Sequence, residues 1–310
     1  MPRTAKSENR EAEPTVVTGA RGMLGEAICR HLHREGIPVI GIDRRSGESE
    51  KPFRYVEADL TAKDLDELVG IDGKYQIVHC AAVLPVGGRS AEDCRVMNRE
   101  IDRAIISSLK QRRGVRLIYM SGTSVYGMDE EWKTEDSPVR PPDAYVRGKL
   151  ESERSLLARD VREVCLRVTA PYAPGQSAST VLKVFIERAT KGAELIYHGS
   201  GTRCQDFTHV DDVAAAVLAC IRRRNVGGIF NISGGKPRSM IDLAHLVKNL
   251  VPGCESPIRP SGKPDPQEHY RARFRIGKAR KELGWSPRIP LEDGISEWVE
   301  EVRRMSADFR

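Results

Sequence analysis

The chain has 310 residues, 39% of them hydrophobic and 30% charged, and its formal net charge is +6 at pH 7. This composition is typical of an ordinary soluble globular protein with one or two domains. Because acidic and basic residues are interspersed and no stretch approaches the roughly 18 apolar residues of a membrane helix, we expect a cytoplasmic protein that binds neither nucleic acid nor membrane.

The N-terminal residues 1–13 are polar and contain no apolar segment of the kind that a secretory signal needs, so we predict a flexible lead. The seven cysteines include no C-x-x-C pair. An odd number without that spacing favours reduced, buried thiols over a disulfide framework or a zinc site, and no metal is expected.

From residue 15 onward, short apolar strands alternate with helices. The β-branched segment TVVTG is followed by the helical segment MLGEAICRHLHREG, and further strands are predicted at IPVIGID, RYVEADL, QIVHCAAV, VRLIYMSG and VREVCLRVT. Long helices are predicted at AEDCRVMNREIDRAIISSLKQRRG and around AYVRGKLESE. Strands that alternate with helices form a parallel sheet with helices on both faces, so the predicted fold class is α/β and doubly wound.

Beyond about residue 170 the pattern loosens into loops rich in glycine, proline and charge, with helices at STVLKVFIERATKG, DDVAAAVLACIRRR, MIDLAHLVKNLV and LEDGISEWVEEVRRM. The segments DDVAAAVLAC and IFNIS indicate a return of the chain to the sheet. We therefore divide the chain into a sheet domain at 14–168 plus about 205–235 and a smaller C-terminal α/β cap at 169–204 plus 236–310.

A glycine-rich turn lies between the first strand and its helix. Its sequence is Thr18-Gly19-Ala20-Arg21-Gly22-Met23-Leu24-Gly25. Glycines there permit a tight turn, a close approach of the backbone to a pyrophosphate and close packing of the helix on the strand, while the helix N-terminus favours phosphate. This strand–turn–helix setting predicts a Rossmann-type dinucleotide site.

Asp43, at the end of the second predicted strand, bears on the choice of dinucleotide. Its carboxylate suits the free ribose diol of NAD and repels the 2′-phosphate of NADP. Three arginines, Arg21, Arg44 and Arg45, complicate this, because guanidinium groups suit a phosphate. We expect NAD as the cofactor, with NADP left open.

Tyr145 and Lys149 are four residues apart in a predicted helix, so they share one helical face. Alone, this spacing is that of many amphipathic surface helices. Beside a dinucleotide site it gains a chemical meaning, because an ammonium group stabilises the phenolate form of a tyrosine that exchanges protons with a substrate.

The order of these motifs resembles the extended branch of the short-chain dehydrogenase/reductase family, the NAD-dependent nucleotide-sugar epimerases and dehydratases that include UDP-glucose 4-epimerase. The resemblance is carried by T-G-x-x-G-x-x-G and Y-x-x-x-K, together with HCAAV, SGTSVYG, LRVTAPYAPG, DFTHVDDVAAA and KELGWSPRIPLEDGI. It spans residues 15 to about 303.

The resemblance implies roles for individual residues. Tyr145 would exchange a proton with a sugar hydroxyl, and Lys149 would bind the nicotinamide ribose. The family usually places a further hydroxyl at the position of Gly122; here Ser121, Thr123 or Ser124 could supply it, and Thr123 is the first choice by adjacency. The cofactor would be held by Gly19, Arg21, Gly22, Met23, Leu24, Gly25, Asp43, Arg44, Asp59, Leu60, Ala81, Ala82, Asn98, Tyr145 and Lys149. The substrate would be bound by Ser121, Ser124, Gln205, Arg203 and Arg271.

Two departures from the family's pattern bear on the reaction. Gln205 stands where the family has an arginine that binds the nucleotide diphosphate, and Arg203, Arg271, Arg273 or Arg275 could substitute for it. Thr123 and Ser124 stand where the 4,6-dehydratases carry an acid and a base, which argues against that activity.

Three functions remain as hypotheses. The first is an NAD-dependent epimerase, specifically a 4-epimerase, that oxidises a nucleotide-activated sugar to a transient ketose and reduces it from its other face. The second is an NAD(P)H-dependent ketoreductase of a keto-sugar or another carbonyl, and the third is a catalytically weak dinucleotide-binding protein. The segment NREIDRAIISSLKQ and the helix that contains Tyr145 resemble the pair through which the family dimerises, so a homodimer is expected.

Overall fold

A seven-stranded sheet organises the structure, a computed structural model that describes residues 13–46, 52–71, 74–110, 115–129, 131–159 and 162–307. The strands are β1 Thr15–Thr18, β2 Val39–Asp43, β3 Arg54–Glu57, β4 Gln76–His79, β5 Arg116–Gly122, β6 Val164–Val168, β7 Pro171–Tyr172, β8 Leu195–Tyr197, β9 Cys204–Gln205, β10 Thr208–His209, β11 Gly228–Ile232, β12 Arg238–Ser239 and β13 Ile258–Pro260. The helices are α1 Met23–Arg34, α2 Leu65–Val69, α3 Ala91–Lys110, α4 Ala144–Leu157, α5 Val181–Thr190, α6 Val210–Arg222, α7 Met240–Leu250 and α8 Leu291–Ala307. Residues 1–12 of the predicted flexible lead lie outside the described residues.

The sheet has the strand order β11-β6-β5-β4-β1-β2-β3, and every neighbouring pair in it is parallel. All residues of β1, β2, β4 and β6 are buried. Burial on both faces explains why these strands are rich in apolar, β-branched residues and do not alternate with polar ones. The predicted α/β, doubly wound sheet of the Rossmann type is confirmed.

Helices cover both faces of this sheet. The neighbouring residues Val17 and Val16 of β1 belong to different cores, because successive strand side chains point to opposite faces. One core includes Ile28 of α1, which packs beside α6. The other includes Ile105 of α3 and Leu156 of α4. Because helices cover both faces, a ligand can approach the sheet at its carboxyl edge, where loops leave the strands.

The outermost strand beside β6 comes from late in the chain. β11 pairs with β6 in parallel, and α6 leads into it, so the segment IFNIS returns to the sheet as predicted. Arg116 of β5 stabilises the position of this late segment. Its buried guanidinium group donates hydrogen bonds to the carbonyl oxygens of Arg162, Cys220 and Val226. The end of α6 and the loop before β11 are thereby tied to the centre of the sheet.

The C-terminal part of the chain forms a second, smaller core. Helices α5, α7 and α8 pack together around Tyr172, Phe185, Leu243 and Trp298. Six short strands form two-stranded sheets, in which β7 pairs with β10, β8 with β13 and β9 with β12. The predicted smaller α/β part is therefore present, while the residue limits assigned to the two domains stay a prediction.

Two predicted strands are shorter in the structure. RYVEADL forms a strand only to Glu57, because Asp59 turns the chain by accepting hydrogen bonds from the backbone N–H and the hydroxyl of Thr61. QIVHCAAV ends at His79, after which the backbone approaches the glycine turn at Ala81. Both ends were set by side-chain and backbone contacts that the apolar pattern does not encode.

All seven cysteines are free thiols, as predicted. Among the described residues, no helix is both long enough and apolar enough to cross a bilayer. The same residues contain no group of three or more histidine, cysteine and acidic side chains that could hold a metal ion.

Candidate active site

The glycine-rich turn joins the buried strand β1 to α1. Gly19 has a φ of +67°, and a Cβ there would lie 2.7 Å from the backbone nitrogen of Ala81. A Cβ on Gly25 would lie 2.1 Å from the carbonyl oxygen of Gly19. Gly22 precedes α1 and has no side chain to cap it. The first turn of α1 therefore keeps its backbone N–H groups for an anion, which is what a pyrophosphate site requires.

Asp43 lies beside this turn, at the end of β2. Its carboxylate accepts a hydrogen bond of 2.9 Å from the backbone N–H of Arg21 and two of 3.1 Å from the guanidinium of Arg45. Burial alone would raise the pKa of Asp43, but the hydrogen bonds from Arg45 and Arg21 hold this pKa below its usual range. Arg21 also stacks on the ring of Tyr55, 4.2 Å from its centroid. Two of the three arginines that suit a phosphate are thus engaged by other groups.

A cavity of about 610 Å³ opens beside the turn and Asp43. Ten of the predicted cofactor residues line it, namely Gly19, Arg21, Gly22, Met23, Asp43, Arg44, Asp59, Leu60, Ala81 and Ala82. They follow or end four parallel strands, β1 to β4, and meet because such strands end at the same edge of a sheet. The structure therefore brings most of the predicted dinucleotide residues into one concave site.

Three predicted cofactor residues near the cavity do not line it themselves. Leu24 and Gly25 are in the first turn of α1, where Gly25 permits the close approach to the glycine turn. Asn98 is buried on α3, where its Oδ1 accepts from the backbone N–H of Val83 at 2.7 Å and its Nδ2 donates to the carbonyl of Val83 at 2.9 Å. Asn98 thus holds the loop after β4 that lines the cavity.

A further part of the cavity wall was not predicted from the sequence. Gln176, Ser177 and Ala178, in the loop after β7, line it together with the predicted residues. The motif LRVTAPYAPG ends at Gly175, just before these residues, and does not indicate that they reach the cavity, because their position there depends on tertiary contacts. The sequence indicated Arg45 only as a phosphate ligand. In the structure its guanidinium group contacts Asp43 and orients that carboxylate.

Tyr145 and Lys149 lie one turn apart on α4, so the predicted helical pair is present. Asp143 starts this helix by accepting a hydrogen bond of 2.9 Å from a backbone N–H of the first turn. Gly148 lets α4 pack tightly on α3, since a Cβ there would lie 2.8 Å from Cγ of Arg95. The start of the helix and its close packing fix both functional side chains relative to the sheet.

The ammonium group of Lys149 is buried at the carboxyl end of β5. It donates to the carbonyl oxygen of Met120 at 3.5 Å and lies 4.8 Å from the centroid of the Tyr119 ring. Burial alone would lower the pKa of Lys149, but two neighbouring tyrosines and the Asp102 carboxylate raise this pKa above its usual range. Its charge also acts on Cys80, which lines the cavity. Lys149 therefore places a cation at the carboxyl edge of the sheet, near Cys80 of the cavity wall, although neither Lys149 nor Tyr145 lines the cavity itself.

The predicted hydroxyl groups gather where β5 ends, just beyond Met120. Thr123 is 5% exposed and Ser121 is 8% exposed, and the Ser121 hydroxyl has no hydrogen-bond partner within the described part of the chain. Ser124 is half-buried, and its Oγ lies 3.3 Å from the place that a Cβ on Gly122 would take. A hydroxyl is thus available close to the position that glycine leaves empty.

The predicted substrate residues of the C-terminal part lie close to one another. Arg203 and Gln205 flank Cys204 at β9, and the backbone N–H of Cys204 donates to the carbonyl that precedes Arg271. The guanidinium of Arg203 donates to Asp265 at 2.7 Å. Arg271 donates to backbone carbonyls, and no carboxylate pairs with it among the described residues. The guanidinium group of Arg271 is therefore more available to an anionic ligand than that of Arg203, which is paired with a carboxylate.

A sequence profile of the NAD dependent epimerase/dehydratase family matches residues 15–233, which is more than half of the chain. The chain belongs to this family. It is therefore an NAD-dependent enzyme of the extended short-chain dehydrogenase/reductase type, as the motifs predicted.

Relatives in this family cover nearly the whole chain. UDP-glucose 4-epimerase of Mycolicibacterium smegmatis is 29% identical, over 94% of this chain and 99% of its own length. The solved structure of MoeE5 in complex with UDP-glucuronic acid and NAD matches with a TM-score of 0.79 at 26% identity, over 94% of this chain and 99% of that one. UDP-glucose 4-epimerase from Thermotoga maritima, solved with UDP-glucose, shares the fold with a TM-score of 0.82 at 22% identity and the same coverage.

The residues of the site fit the NAD of this family. The uncapped first turn of α1 suits the pyrophosphate, the absence of side chains at Gly19 and Gly22 leaves the backbone open to it, and the ionised Asp43 suits a ribose diol. When bound, NAD supplies the acceptor and donor of a hydride. Everything else in the reaction falls to the side chains of this chain.

Proposed function

We propose that this enzyme epimerises a nucleotide-activated sugar at C4 through a transient keto intermediate. The proposal rests on one observation, the Tyr145–Lys149 pair on α4, whose buried ammonium group lies at the carboxyl end of β5 and so at the same edge of the sheet as the dinucleotide cavity. Two similar proteins support the substrate class, since one is named as a UDP-glucose 4-epimerase and the other was solved with UDP-glucuronic acid.

Tyr145 is the proton-transfer group of this proposal. As the phenolate it takes the proton of the sugar hydroxyl while the hydride leaves the same carbon, and as the phenol it returns that proton when the ketose is reduced. Lys149 holds a positive charge beside it and so favours the phenolate form. The pair is used once in each direction per cycle, so no net proton is consumed.

A hydroxyl at the end of β5 hydrogen-bonds the reacting oxygen in the proposed site. Thr123 is the first choice from the sequence among the neighbouring hydroxyls of Ser121, Thr123 and Ser124. The geometry favours Ser124, whose Oγ lies closest to the vacant side-chain position of Gly122. As the sequence already indicated, neither hydroxyl is an acid or a base at neutral pH, which supports epimerisation over a 4,6-elimination that needs both. We propose Arg271, helped by Arg203 and Gln205, as the group that binds the diphosphate.

The test uses the purified protein with added NAD and with UDP-glucose or UDP-glucuronic acid as probes. We expect nuclear magnetic resonance to show the C4 epimer of at least one probe, and we expect Tyr145→Phe to lower its rate of formation by about 10²- to 10⁴-fold. Steady consumption of added NADH with a keto-sugar, without any epimer, would instead indicate the ketoreductase. Full turnover by Tyr145→Phe would contradict the proton-transfer role.

We also propose that the enzyme is a cytoplasmic homodimer that pairs through α3 and α4. The two helices lie side by side in close contact at Gly148, and Val96 of α3 is 47% exposed. Seven free thiols support a reducing compartment. Light scattering on the purified protein tests the assembly, and the mass of a single chain at micromolar concentration would contradict it.

A further inference from the structure

A chain of buried polar groups links the glycine turn to the functional helix. Oγ1 of Thr18 lies 2.6 Å from Nδ1 of His79, and Nε2 of His79 lies 2.9 Å from Oδ1 of Asp102. The other carboxylate oxygen of Asp102 accepts hydrogen bonds from the hydroxyls of Tyr119, at 3.0 Å, and Ser152. All five residues are buried. Three elements, β4, β5 and α4, thus contact the carboxylate that α3 carries, and β1 is joined to it through His79.

The Asp102 carboxylate is ionised although it is only 4% exposed. Burial alone would raise the pKa of Asp102, but the hydrogen bond from His79 and the charge of Lys149 hold this pKa below its usual range. The charge of Asp102 in turn helps to raise the pKa of Lys149. Geometry brings the two groups together: Nζ of Lys149 lies 4.8 Å from the centroid of the Tyr119 ring, and the hydroxyl of Tyr119 donates to Asp102 at 3.0 Å. Ser152, which also donates to Asp102, lies three residues after Lys149 on α4. Because a buried charge is stable only when it is compensated, each of the two groups helps to stabilise the other.

We propose that Asp102 is the buried counter-charge of Lys149, a positioning residue that sets the pH range in which Tyr145 exchanges its proton. The inference rests on the proposed function and goes beyond it, because Asp102 touches neither substrate nor cofactor in that scheme. The titratable and charged groups that face Asp102 are His79 from β4, Tyr119 from β5 and Lys149 from α4. Of these, only Lys149 is next to Tyr145 on the same helix face.

The sign of the effect follows from the charges. A carboxylate near Lys149 offsets part of the ammonium's attraction for the Tyr145 phenolate. Removing that carboxylate strengthens the attraction, so the phenolate forms at lower pH. It also makes the buried ammonium easier to deprotonate, so the alkaline limit of activity falls as well. Both limbs of the pH profile therefore move in the same direction.

The test compares wild-type enzyme with Asp102→Asn and Asp102→Thr in the epimerisation assay from pH 5 to pH 10. The two variants are neutral and of similar size to aspartate, but they offer different hydrogen bonds. We expect the kcat profile of both to move towards lower pH by about one pH unit. A second measurement needs no substrate: the ultraviolet phenolate absorbance that is lost in Tyr145→Phe should rise at lower pH in the neutral variants than in the wild type.

Asp212→Asn is the matched control. Asp212, on α6, is equally buried and accepts hydrogen bonds from the backbone N–H groups of Arg288 and Ile289. It has no contact with Lys149 in the described structure. We expect this variant to lose stability while its pH profile stays in place.

The outcomes separate the inference from the proposed function. If Tyr145→Phe is inactive but both Asp102 variants keep the wild-type pH profile, Asp102 has no role in positioning Lys149, and the inference is overturned while the proposed function stands. Opposite shifts in the two variants would also overturn it, because they share only the loss of charge. Failure of both to fold while Asp212→Asn folds would assign Asp102 to folding alone. If Tyr145→Phe stays active, the proposed function itself fails.

Discussion

Asp43 is the residue that we predict selects NAD over NADP. Its two oxygens are held by a backbone N–H from the glycine turn and by the guanidinium of Arg45. The same contacts keep Arg45 away from a ribose phosphate, because its fork of donors is already used by a carboxylate. We therefore predict that selectivity for NAD depends on this pair of side chains rather than on the acid alone.

We expect Asp43→Ser to raise the affinity for NADP relative to NAD by about 10- to 100-fold, since it removes the repulsion of the 2′-phosphate and frees Arg45 to bind it. Calorimetric titration with each dinucleotide measures the ratio of the two Kd values. Asp59→Asn serves as the control, because Asp59 also lines the cavity but is bonded to Thr61. An unchanged ratio in Asp43→Ser would show that Asp43 does not select the cofactor.

The sequence predicted single residues well where local spacing fixes them and poorly where tertiary contacts place them. The Tyr145–Lys149 spacing and the glycine positions could be read directly, because a helix and a tight turn impose fixed intervals on them. Asp102 could not, since its partners lie 17 to 50 residues away along the chain. The loop with Gln176 was missed for the same reason: its position at the cavity depends on how the second core packs.

At the scale of elements, the connection of β1 to α1 depends on two backbone segments in contact. Gly25 in α1 faces the carbonyl of Gly19 with no room for a methyl group between them. Packing of this kind fixes the angle at which the helix leaves the sheet, and with it the direction in which its N-terminus points.

Gly25→Ala should therefore destabilise the protein by about 2 to 4 kcal/mol and lower its affinity for NAD at least tenfold, because α1 must move away from the turn. Chemical denaturation and a fluorescence titration with NADH give the two quantities. Gly36→Ala is the comparison: Gly36 has a φ of +73° but nothing within 4 Å of its added Cβ, so only the backbone cost of about 1 kcal/mol is expected. Equal NAD affinity in the two variants would contradict the role of Gly25.

Strand cores were predictable and strand ends were not. Segments such as TVVT and VIGID are buried throughout and mostly apolar or β-branched, which is the composition that a parallel sheet covered on both faces favours. The end of β3 depends on the turn made by Asp59 and Thr61, which is a local hydrogen-bonding choice within an otherwise strand-like sequence.

At the scale of the molecule, Asp212 ties the C-terminal segment to the sheet domain. Its carboxylate, on α6, receives the backbone N–H groups of Arg288 and Ile289, just before α8. The indole N–H of Trp285 donates to its backbone carbonyl at 2.9 Å. The start of α8 is thereby held against α6.

Asp212→Asn turns one of these acceptors into a donor that faces another donor. We expect a loss of about 2 to 3 kcal/mol in the free energy of unfolding and a Tm lower by about 5 to 10 °C, measured by scanning calorimetry. Asp242→Asn, which changes an exposed carboxylate at the start of α7, should lower Tm by less than about 3 °C. Equal effects of the two substitutions would show that the Asp212 contacts contribute nothing particular.

The place of β11 in the sheet has a consequence for synthesis on the ribosome. When β6 has left the exit tunnel, about sixty residues remain to be translated before its neighbour β11 can form. At about 5–20 residues per second this interval lasts roughly 3 to 12 s. During that time VCLRV is an unpaired apolar edge strand, the kind of surface that recruits chaperones or another nascent chain.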